Sequence, residues 1–350
     1  MKQGIFTSTR SRRQTGFTII EILVALAISL VLLTGVMKIY MSNKATYQVQ
    51  EGMSRLQENA RFALNFLSND IRMAGYSGCS SLSSPPNNIA DLDGDGNPDA
   101  VSDFSTGGLF GFEYSSLPIA LTASDNLSTT DVVAATDVIV ILKGSTQDIQ
   151  LTGNLIADNA NIQLAGTAAG LFQAGDIMFI SDCTSSDIFA ANNVSNGGTI
   201  TIAHSNSVNI TNRLSKAYGS DAVVMALEKT AYYIGTNASG ISTLYRKRMI
   251  GSGIATEELV EGIETMQIQY GEDLTGDGIA NKYANAGSIA DMANVVSVRI
   301  SLLLRTITEI NPDLDTSTYT VLDASVNPVD DRRSRRIFTK TIKLRNKGII

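Results

Sequence analysis

The distribution of apolar residues divides the chain into one unbroken apolar run near the N-terminus and a longer part with short apolar segments. From Phe17 to Met37 nearly every residue is Ile, Leu, Val, Ala or Phe. At about 1.5 Å rise per residue, a helix of this length crosses roughly 30 Å of hydrocarbon. The pattern therefore predicts a transmembrane helix over about residues 17–37.

A second helical pattern follows this run without interruption. Beyond Lys38 the apolar residues recur every three or four positions, and charged residues occupy the other faces. The first turn signals are Gly75 and Gly78, which can end a helix in a left-handed conformation. We therefore predict one continuous helix over residues 17–75, roughly 85 Å long, whose outer half packs on the rest of the protein.

Residues 76–350 predict a β-rich domain outside the cytoplasm. Short β-branched runs are separated by polar turns, a pattern typical of strands. These runs are residues 137–142, 176–180, 221–225, 295–302 and 336–345. The expected fold class is α+β, with a long N-terminal helix packed on a large C-terminal antiparallel β domain. Its length of about 275 residues suffices for one large or two smaller domains.

A basic leader precedes the apolar run. Residues 1–16 hold four basic side chains and no acidic one, and positive charge keeps such a segment on the cytoplasmic face. Gly16 is a small residue that lies before the apolar run and not after it. Cleavage at Gly16 would therefore remove the leader and leave the membrane anchor on the mature protein.

Glu21 is an acidic residue within the apolar run, and two interpretations of it are open. With Thr18 it forms a capping-box pattern, which satisfies backbone N–H groups of the first helical turn. A cap does not need a charge, and a carboxylate a turn inside lipid costs about 1–3 kcal/mol. The charge therefore indicates an amine partner, namely a free N-terminus at Phe17 on this chain or on a neighbouring subunit.

The leader, Gly16, Phe17, Glu21 and the apolar run together resemble the class III signal of type IV prepilins and type II secretion pseudopilins. The resemblance implies that a prepilin peptidase cuts between Gly16 and Phe17 and that the new amine of Phe17 is methylated. It also implies that Glu21 is required for assembly.

Cys79 and Cys183 are the two cysteines of the chain. In an oxidising compartment they could form a disulfide that links the end of the helix to a predicted strand, worth several kcal/mol of stability. Two buried free thiols are the alternative, because the sequence does not give the distance between the two residues.

Two Asp-rich turns suggest a metal. The first alternates oxygen-bearing side chains around Gly96, a spacing that wraps hard oxygen ligands around Ca²⁺, although the twelfth position is Ser102 and not Glu. Its candidate ligands are Asp91, Asp93, Asp95, Asn97 and Asp99. The second turn is a weaker match, with Asp273, Thr275 and Asp277. A polar turn without an ion is the alternative for both, and no cofactor is required.

Charge and composition argue against several functions. The formal net charge is −7, and loss of the leader makes the chain four units more negative, so nucleic acid is not expected as a partner. We expect the basic clusters at residues 246–248 and 332–345 to be solvated strand faces. His204, the only histidine, lies in a polar region and is expected to be solvated. The sequence has no phosphate loop, zinc spacing or nucleophile elbow, so no enzymatic activity is expected.

Four segments resemble a PilW-type minor pilin: residues 72–79, 180–183, 259–278 and 338–346. The resemblance implies a single-pass protein of the bacterial inner membrane, with its C-terminal domain outside the cytoplasm, that passes into the pilus fibre or tip. Such a subunit joins other minor pilins and the major pilin through N-terminal helices and primes assembly. A tip adhesin is a further implied partner, and cell adhesion and twitching motility are the implied processes.

Two other functions stay open. The Val260–Gly262 and Leu344–Asn346 elements also resemble the J-type minor pseudopilin of type II secretion, which is usually shorter. A membrane-tethered binding module for DNA or a surface ligand is the third hypothesis, and it predicts a basic or aromatic groove on the exported domain.

Overall fold

The computed structural model describes residues 16–79, 85–99, 102–120 and 126–347. The chain divides into two compact units, Met1–Glu51 and Gly52–Ile350. In the described residues one α-helix, α1 (Ile19–Arg72, 54 residues), contributes to both units, and twenty β-strands belong to the second. The strands pair almost entirely antiparallel, so the expected α+β class with a long N-terminal helix is confirmed.

The first unit is the N-terminal part of α1. Its apolar side chains, such as Ile20, Leu30 and Val31, are exposed. Within the described residues, α1 is the one helix that is long and apolar enough to cross a membrane, and none of its most apolar stretch is buried by protein. A helix with this much uncovered apolar surface needs lipid or other apolar helices around it.

A nine-stranded sheet is centred on a long strand, β12 (Val223–Thr236). Its strands are β1 (Asn87–Asn88), β2 (Leu109–Phe112), β5 (Val138–Gly144), β6 (Ile149–Gln150), β8 (Ile177–Ser181), β9 (Ser186–Ala190), β12 (Val223–Thr236), β13 (Ser242–Ile250) and β14 (Gly253–Glu261). Strand β12 is antiparallel to β5, β6, β8 and β13. The β1–β9 pair is parallel.

The other strands form smaller antiparallel sheets. Their strands are β7 (Ile162–Ala165), β10 (Asn193–Ser195), β11 (Thr199–Ala203), β15 (Ile263–Glu272), β16 (Lys282–Ala284), β17 (Val295–Arg305) and β20 (Arg335–Lys343). A four-stranded sheet has the order β16-β15-β17-β20, and a three-stranded sheet has the order β10-β11-β7. The described residues also form two antiparallel strand pairs: β3 (Ile119–Ala120) with β4 (Asn126–Leu127), and β18 (Tyr319–Val321) with β19 (Ala324–Val326).

The C-terminal part of α1 packs on the nine-stranded and four-stranded sheets through one apolar stripe. The buried residues of this stripe recur every three or four positions, as an amphipathic helix requires. They are Leu56, Ala60, Ala63, Leu67 and Ile71. They share one core with residues of β5, β12, β15 and β17. Burial of each large aliphatic side chain stabilises the fold by roughly 1.5–3 kcal/mol.

Asp70 is the polar anchor of α1 on the nine-stranded sheet. Its carboxylate accepts a hydrogen bond from Lys143 Nζ at 2.7 Å and one from the Tyr232 hydroxyl at 2.5 Å. Burial raises the pKa of Tyr232, and the neighbouring Asp70 carboxylate raises it further. Lys143 is itself buried and its ammonium also lies 3.3 Å from the Glu228 carboxylate, so Asp70 is one of two carboxylates that compensate the Lys143 charge.

Two basic residues do not lie on a solvated strand face, as had been expected for both basic clusters. Arg246 lies in contact with α1, where its guanidinium is 5.9 Å from the Phe66 ring centroid, and it also binds Glu257. The Arg335 side chain is fully buried in an acidic cluster. Its partners are Glu264, Asp315 and Asp331. The expectation was wrong at these positions because alternation within a strand does not show which distant carboxylates lie opposite.

His204 is buried and not solvated, contrary to the expectation. It follows β11 directly, its ring centroid lies 5.6 Å from that of Phe189, and its Nε2 atom is 3.0 Å from the Ala160 carbonyl oxygen. Burial lowers its pKa. The polar sequence around His204 did not reveal its burial, because Phe189 and Ala160, which contact the ring, lie at least 15 positions away in the sequence.

The end of α1 is fixed by the C-terminal residues of the chain. The Arg345 N–H donates to the Arg72 carbonyl at 2.9 Å, and the Asn346 side-chain amide donates to the carbonyls of Met73 and Ala74. These bonds satisfy carbonyls that a helix end leaves unpaired. Gly75 follows with a φ of 75°, and a Cβ there would collide with the backbone carbonyl of residue 107. The glycine signal in the sequence therefore marks a required left-handed turn.

Cys79 and Cys183 form a disulfide across 104 positions of sequence. Cys79 follows the end of α1, and Cys183 lies in the turn between β8 and β9. The disulfide that the sequence predicts is therefore present. It constrains a long loop in the unfolded chain, which is the condition under which a disulfide stabilises most.

We predict that the double variant Cys79→Ser with Cys183→Ser loses about 3–5 kcal/mol of unfolding free energy, because the unfolded chain regains the entropy of the open loop. The measurement is urea denaturation of the full chain in detergent micelles, followed by circular dichroism. Wild-type protein with a reducing agent is the control and should show the same loss. Equal stability of the oxidised wild type and the double variant would contradict the prediction.

Asp137 joins the nine-stranded and four-stranded sheets. It lies immediately before β5, its N–H donates to the Met266 carbonyl, and its carboxylate accepts the Ile268 N–H at 2.7 Å. Burial raises the pKa of Asp137 to about 8, and the nearby Glu113 carboxylate adds to the rise. The folded protein therefore keeps a proton on Asp137 that the unfolded chain releases near pH 4.

This proton makes stability fall as the pH rises from about 4 to about 8, because over that range the folded state holds more protons than the unfolded state. We predict that Asp137→Asn melts at a higher temperature than wild type at pH 8.5 and at nearly the same temperature at pH 4. Asp137→Ala, which cannot accept the Ile268 N–H, should be less stable at both pH values. A melting-temperature difference between Asp137→Asn and wild type that does not change with pH would argue against this assignment.

Candidate functional site

The N-terminal candidate site lies at the start of α1. Gly16 and Phe17 precede the helix, and the Phe17 side chain is 85% exposed. Leader residues 1–15 lie outside the described residues. The peptide bond between Gly16 and Phe17 is the predicted cleavage position, and the amine released on Phe17 is the predicted methylation position. Both assignments stay predictions.

Glu21 and Thr18 form the capping box that the sequence contains. Glu21 Oε2 accepts hydrogen bonds from the Thr18 N–H at 2.9 Å and from Thr18 Oγ1 at 3.0 Å. In return the Glu21 N–H donates to Thr18 Oγ1 at 3.3 Å. The capping interpretation of Glu21 is therefore correct as far as it goes. It does not use the whole carboxylate, which can accept about four hydrogen bonds.

The geometry also allows the second interpretation of Glu21. Its carboxylate caps Thr18, and Phe17 is the residue directly before Thr18. Cleavage at Gly16 would create a cation within one residue of the capped N–H group. The free capacity of Glu21 could then accept an amine from the same chain or from a neighbouring subunit, where a charged hydrogen bond is about twice as strong as a neutral one.

The first Asp-rich turn gathers three carboxylates in one place. Single oxygen atoms of Asp91, Asp93 and Asp95 all lie within 4.8 Å of one another, and Asp91 is buried while the other two are exposed. The Asp91 carboxylate accepts the N–H groups of Gly94, Asp95 and Gly96. Hard cations such as Ca²⁺ bind groups of carboxylate oxygens of this kind.

Asp99 closes this turn. Its Oδ2 atom accepts the Leu92 N–H at 2.8 Å. Burial raises the pKa of Asp99, and the negative charges of Asp93, Asp91 and Asp95 add to the rise against the opposing hydrogen bond from Leu92. Mutual repulsion of carboxylates is the condition that a bound cation would relieve. The Asn97 backbone N–H donates to Asp95 Oδ1 at 2.7 Å, and its side-chain amide donates to the Asp95 carbonyl.

The second Asp-rich turn repeats the backbone arrangement with fewer ligands. The Asp273 carboxylate accepts the N–H groups of Thr275, Gly276 and Gly278, and Asn281 accepts the Leu274 N–H at the position equivalent to Asp99. Desolvation raises the pKa of the Asp273 carboxyl, but the hydrogen bonds from these backbone N–H groups outweigh it, so the pKa is lowered. Because Thr275 replaces one carboxylate, this turn carries less negative charge than the first. The calcium hypothesis therefore rests on the first turn.

The networks around Asp70, Asp137 and Arg335 were missed from the sequence. Apart from Asp331, which is four residues from Arg335, their partners lie about 20 to more than a hundred positions away. These networks hold the sheets and α1 in position. Within each network the polar and charged groups bind one another. One signal was available, because Asp137 directly precedes a fully apolar strand run, where an acidic residue is unusual.

Two parts of the chain match known protein families. Residues 231–346, from within β12 to beyond the end of β20, match the family described as Type IV Pilus-assembly protein W. Residues 11–37, which include Gly16, Phe17 and Glu21, match the prokaryotic N-terminal methylation motif. These matches confirm the resemblance that the sequence segments indicated.

No match was found among curated proteins. A type IV-like pilin from Thermus thermophilus is a similar solved structure. The alignment with it covers 84% of this chain and 98% of the other, at 11% identity and a TM-score of 0.35.

We predict that Ca²⁺ raises the melting temperature of the full chain in micelles, because a ligand that binds only the folded state stabilises it. The double variant Asp93→Ala with Asp95→Ala should abolish the rise. Asp277→Ala, in the second turn, is the matched control and should retain it. If excess Ca²⁺ leaves the wild-type melting temperature unchanged, the first turn is a polar turn without an ion.

Proposed function

We propose that this chain, a pilin with an N-terminal methylation motif and a PilW family domain, is a minor pilin that primes type IV pilus assembly as part of a tip complex. It acts by association and carries out no catalysis. The observation that carries the proposal is a processing motif that includes the start of α1, whose most apolar stretch is covered by no other described part of the protein.

Processing comes first in this account. A prepilin peptidase in the inner membrane cleaves after Gly16 and methylates the amine of Phe17. The positive leader stays in the cytoplasm, so the β-rich unit lies on the opposite side of the membrane. The disulfide between Cys79 and Cys183 supports that location, because such bonds persist in oxidising compartments outside the cytoplasm.

Assembly then moves the apolar helix from lipid into a bundle of similar helices. The change of surroundings alone gives little net hydrophobic energy, since lipid and apolar side chains are similar solvents for a helix. A charged contact in this apolar setting is costly when mismatched and favourable only in one alignment. Glu21 paired with the Phe17 amine of a neighbouring subunit therefore fixes the axial register of the two helices.

The size of the second unit favours a position at the end of the filament. Residues 52–350 form one compact unit, and the interior of a filament of repeated subunits restricts how much exported mass each can carry. At the tip one face of the unit is free, which leaves room for other minor pilins and an adhesin. The PilW family match over residues 231–346 favours a pilus over a type II secretion pseudopilus.

We predict that Glu21→Ala leaves the protein inserted in the membrane but absent from filaments, with few pili per cell. Glu21→Gln is the decisive variant, because its amide oxygen can still accept the Thr18 N–H while the charge is gone. It should be as defective as Glu21→Ala if the charge binds a neighbouring amine. The measurement is the pilus count by electron microscopy, together with immunoblots of sheared filaments and membranes.

Thr18→Ala is the matched control, since it removes the hydroxyl half of the capping box and keeps the carboxylate. It should assemble nearly normally. Normal pili in Glu21→Gln, combined with a defect in Thr18→Ala, would show that Glu21 is only a helix cap and would refute its proposed role in assembly.

A further inference from the structure

Strand β20 is an outer strand of the four-stranded sheet. Among the described residues it pairs with β17 and with no other strand. The described part of the chain also contains no backbone hydrogen bond from residues 335–343 to any other element. A strand edge of nine residues with unpaired N–H and C=O groups can accept a further strand.

The register identifies which groups lie on the open edge. The Leu344 N–H donates to the Val296 carbonyl, so even-numbered residues of β20 bond to β17 and odd-numbered residues face away from it. Arg345 continues the odd-numbered series just beyond β20. Its N–H points away from β17 and donates to the Arg72 carbonyl at the end of α1, which agrees with this register. The residues of β20 whose backbone N–H and C=O groups face the open edge are Arg335, Ile337, Thr339, Thr341 and Lys343.

Both ends of β20 are held in place. At its start the fully buried Arg335 side chain is bound to three partly buried carboxylates. Just past its end, Arg345 and Asn346 bond to the last carbonyls of the α1 region. An edge that is already ordered loses little conformational entropy when a second strand binds, which favours binding.

The open edge carries positive charge in an acidic protein. Arg336, Lys340, Lys343 and Arg345 lie on or beside it, and none of their side chains has an ion-pair partner among the described residues. The formal charge of the whole chain is −7. The other long outer strand, β14, differs because its glutamates are bound within the fold. Their partners are Arg246 for Glu257 and Asn237 for Glu258 and Glu261.

We propose that the open edge of β20 binds an extended acidic polypeptide segment, which adds to the four-stranded sheet as a further strand. Like charges facing each other across a strand pair are destabilising, so the basic residues disfavour pairing with the same strand of a second copy. Opposite charges favour an acidic partner. Backbone bonds supply affinity and the basic side chains supply selectivity, as in other cases of strand addition. The inference does not depend on the proposed role in pilus assembly.

Binding can be measured with the full chain in detergent micelles and a fluorescent peptide of sequence Gly-Ile-Ala-Thr-Glu-Glu-Leu-Val-Glu, which copies the acidic strand β14. Two further peptides carry backbone N-methyl groups, one on the odd and one on the even positions. In a strand, the N–H groups of alternate residues point to the same edge. Either the odd or the even N–H groups of a bound peptide therefore face β20. One methylated peptide should therefore bind about tenfold more weakly than the parent, and the other should bind nearly as well.

Thr339→Pro tests the same edge on the protein. It removes an outward N–H and leaves the ladder to β17 intact, which is the position in a strand where proline is tolerated. Binding of the peptide should fall about tenfold, whereas Thr339→Ala should bind like wild type. If Thr339→Pro fails to fold, the two methylated peptides still decide the question. Equal binding of both methylated peptides, or no binding of the parent peptide, would overturn the proposal.

The charge requirement separates a polypeptide partner from other anions. Lys340→Gln with Lys343→Gln should weaken peptide binding several-fold, and added salt should weaken it in wild type. Duplex DNA and short-chain phosphatidylglycerol should fail to displace the peptide. Displacement by either at equal concentration would show that the edge is a general anion surface and would refute strand addition.

Discussion

The uncovered apolar surface of the first unit is the constraint on which the functional account depends. Side chains such as Leu26, Ile28 and Leu33 remain exposed, and no described part of the chain buries them. Water is a poor solvent for so much apolar helix. The first unit therefore needs lipid or other apolar helices around it. The proposed function, in which the chain passes from a membrane into a bundle of helices, meets this requirement at both stages.

The second unit holds the outer part of α1 through apolar and polar contacts. Alanines at positions 60 and 63 let the helix approach the sheets closely, and Asp70 adds a directional contact through Lys143 and Tyr232. The chain end closes the arrangement, since Arg345 and Asn346 cap the carbonyls that follow the helix. Apolar packing, an ion pair and hydrogen bonds therefore all hold the outer part of α1 on the sheets.

Local signals predicted the elements of this fold well, but they could not predict its polar contacts. The apolar periodicity and Gly75 anticipated a helix that in fact ends at Arg72, and β-branched runs anticipated β5, β8, β12, β17 and β20. Thr18 and Glu21 were predictable as a cap because they lie three residues apart. Arg335 and His204 were expected to be solvated and are buried, because strand pairing brings residues from far along the chain against them. The same distance in sequence hid the partners of Asp70 and Asp137.

The most direct test of the account is mass spectrometry of the native protein in sheared filaments and in inner membranes from cells with an active processing peptidase. The account predicts that the filament fraction contains a chain that begins at Phe17, carries one added methyl group on its amine, and retains the disulfide between Cys79 and Cys183. Recovery from the same cells of a chain that still begins at Met1, in membranes and filaments alike, would contradict it.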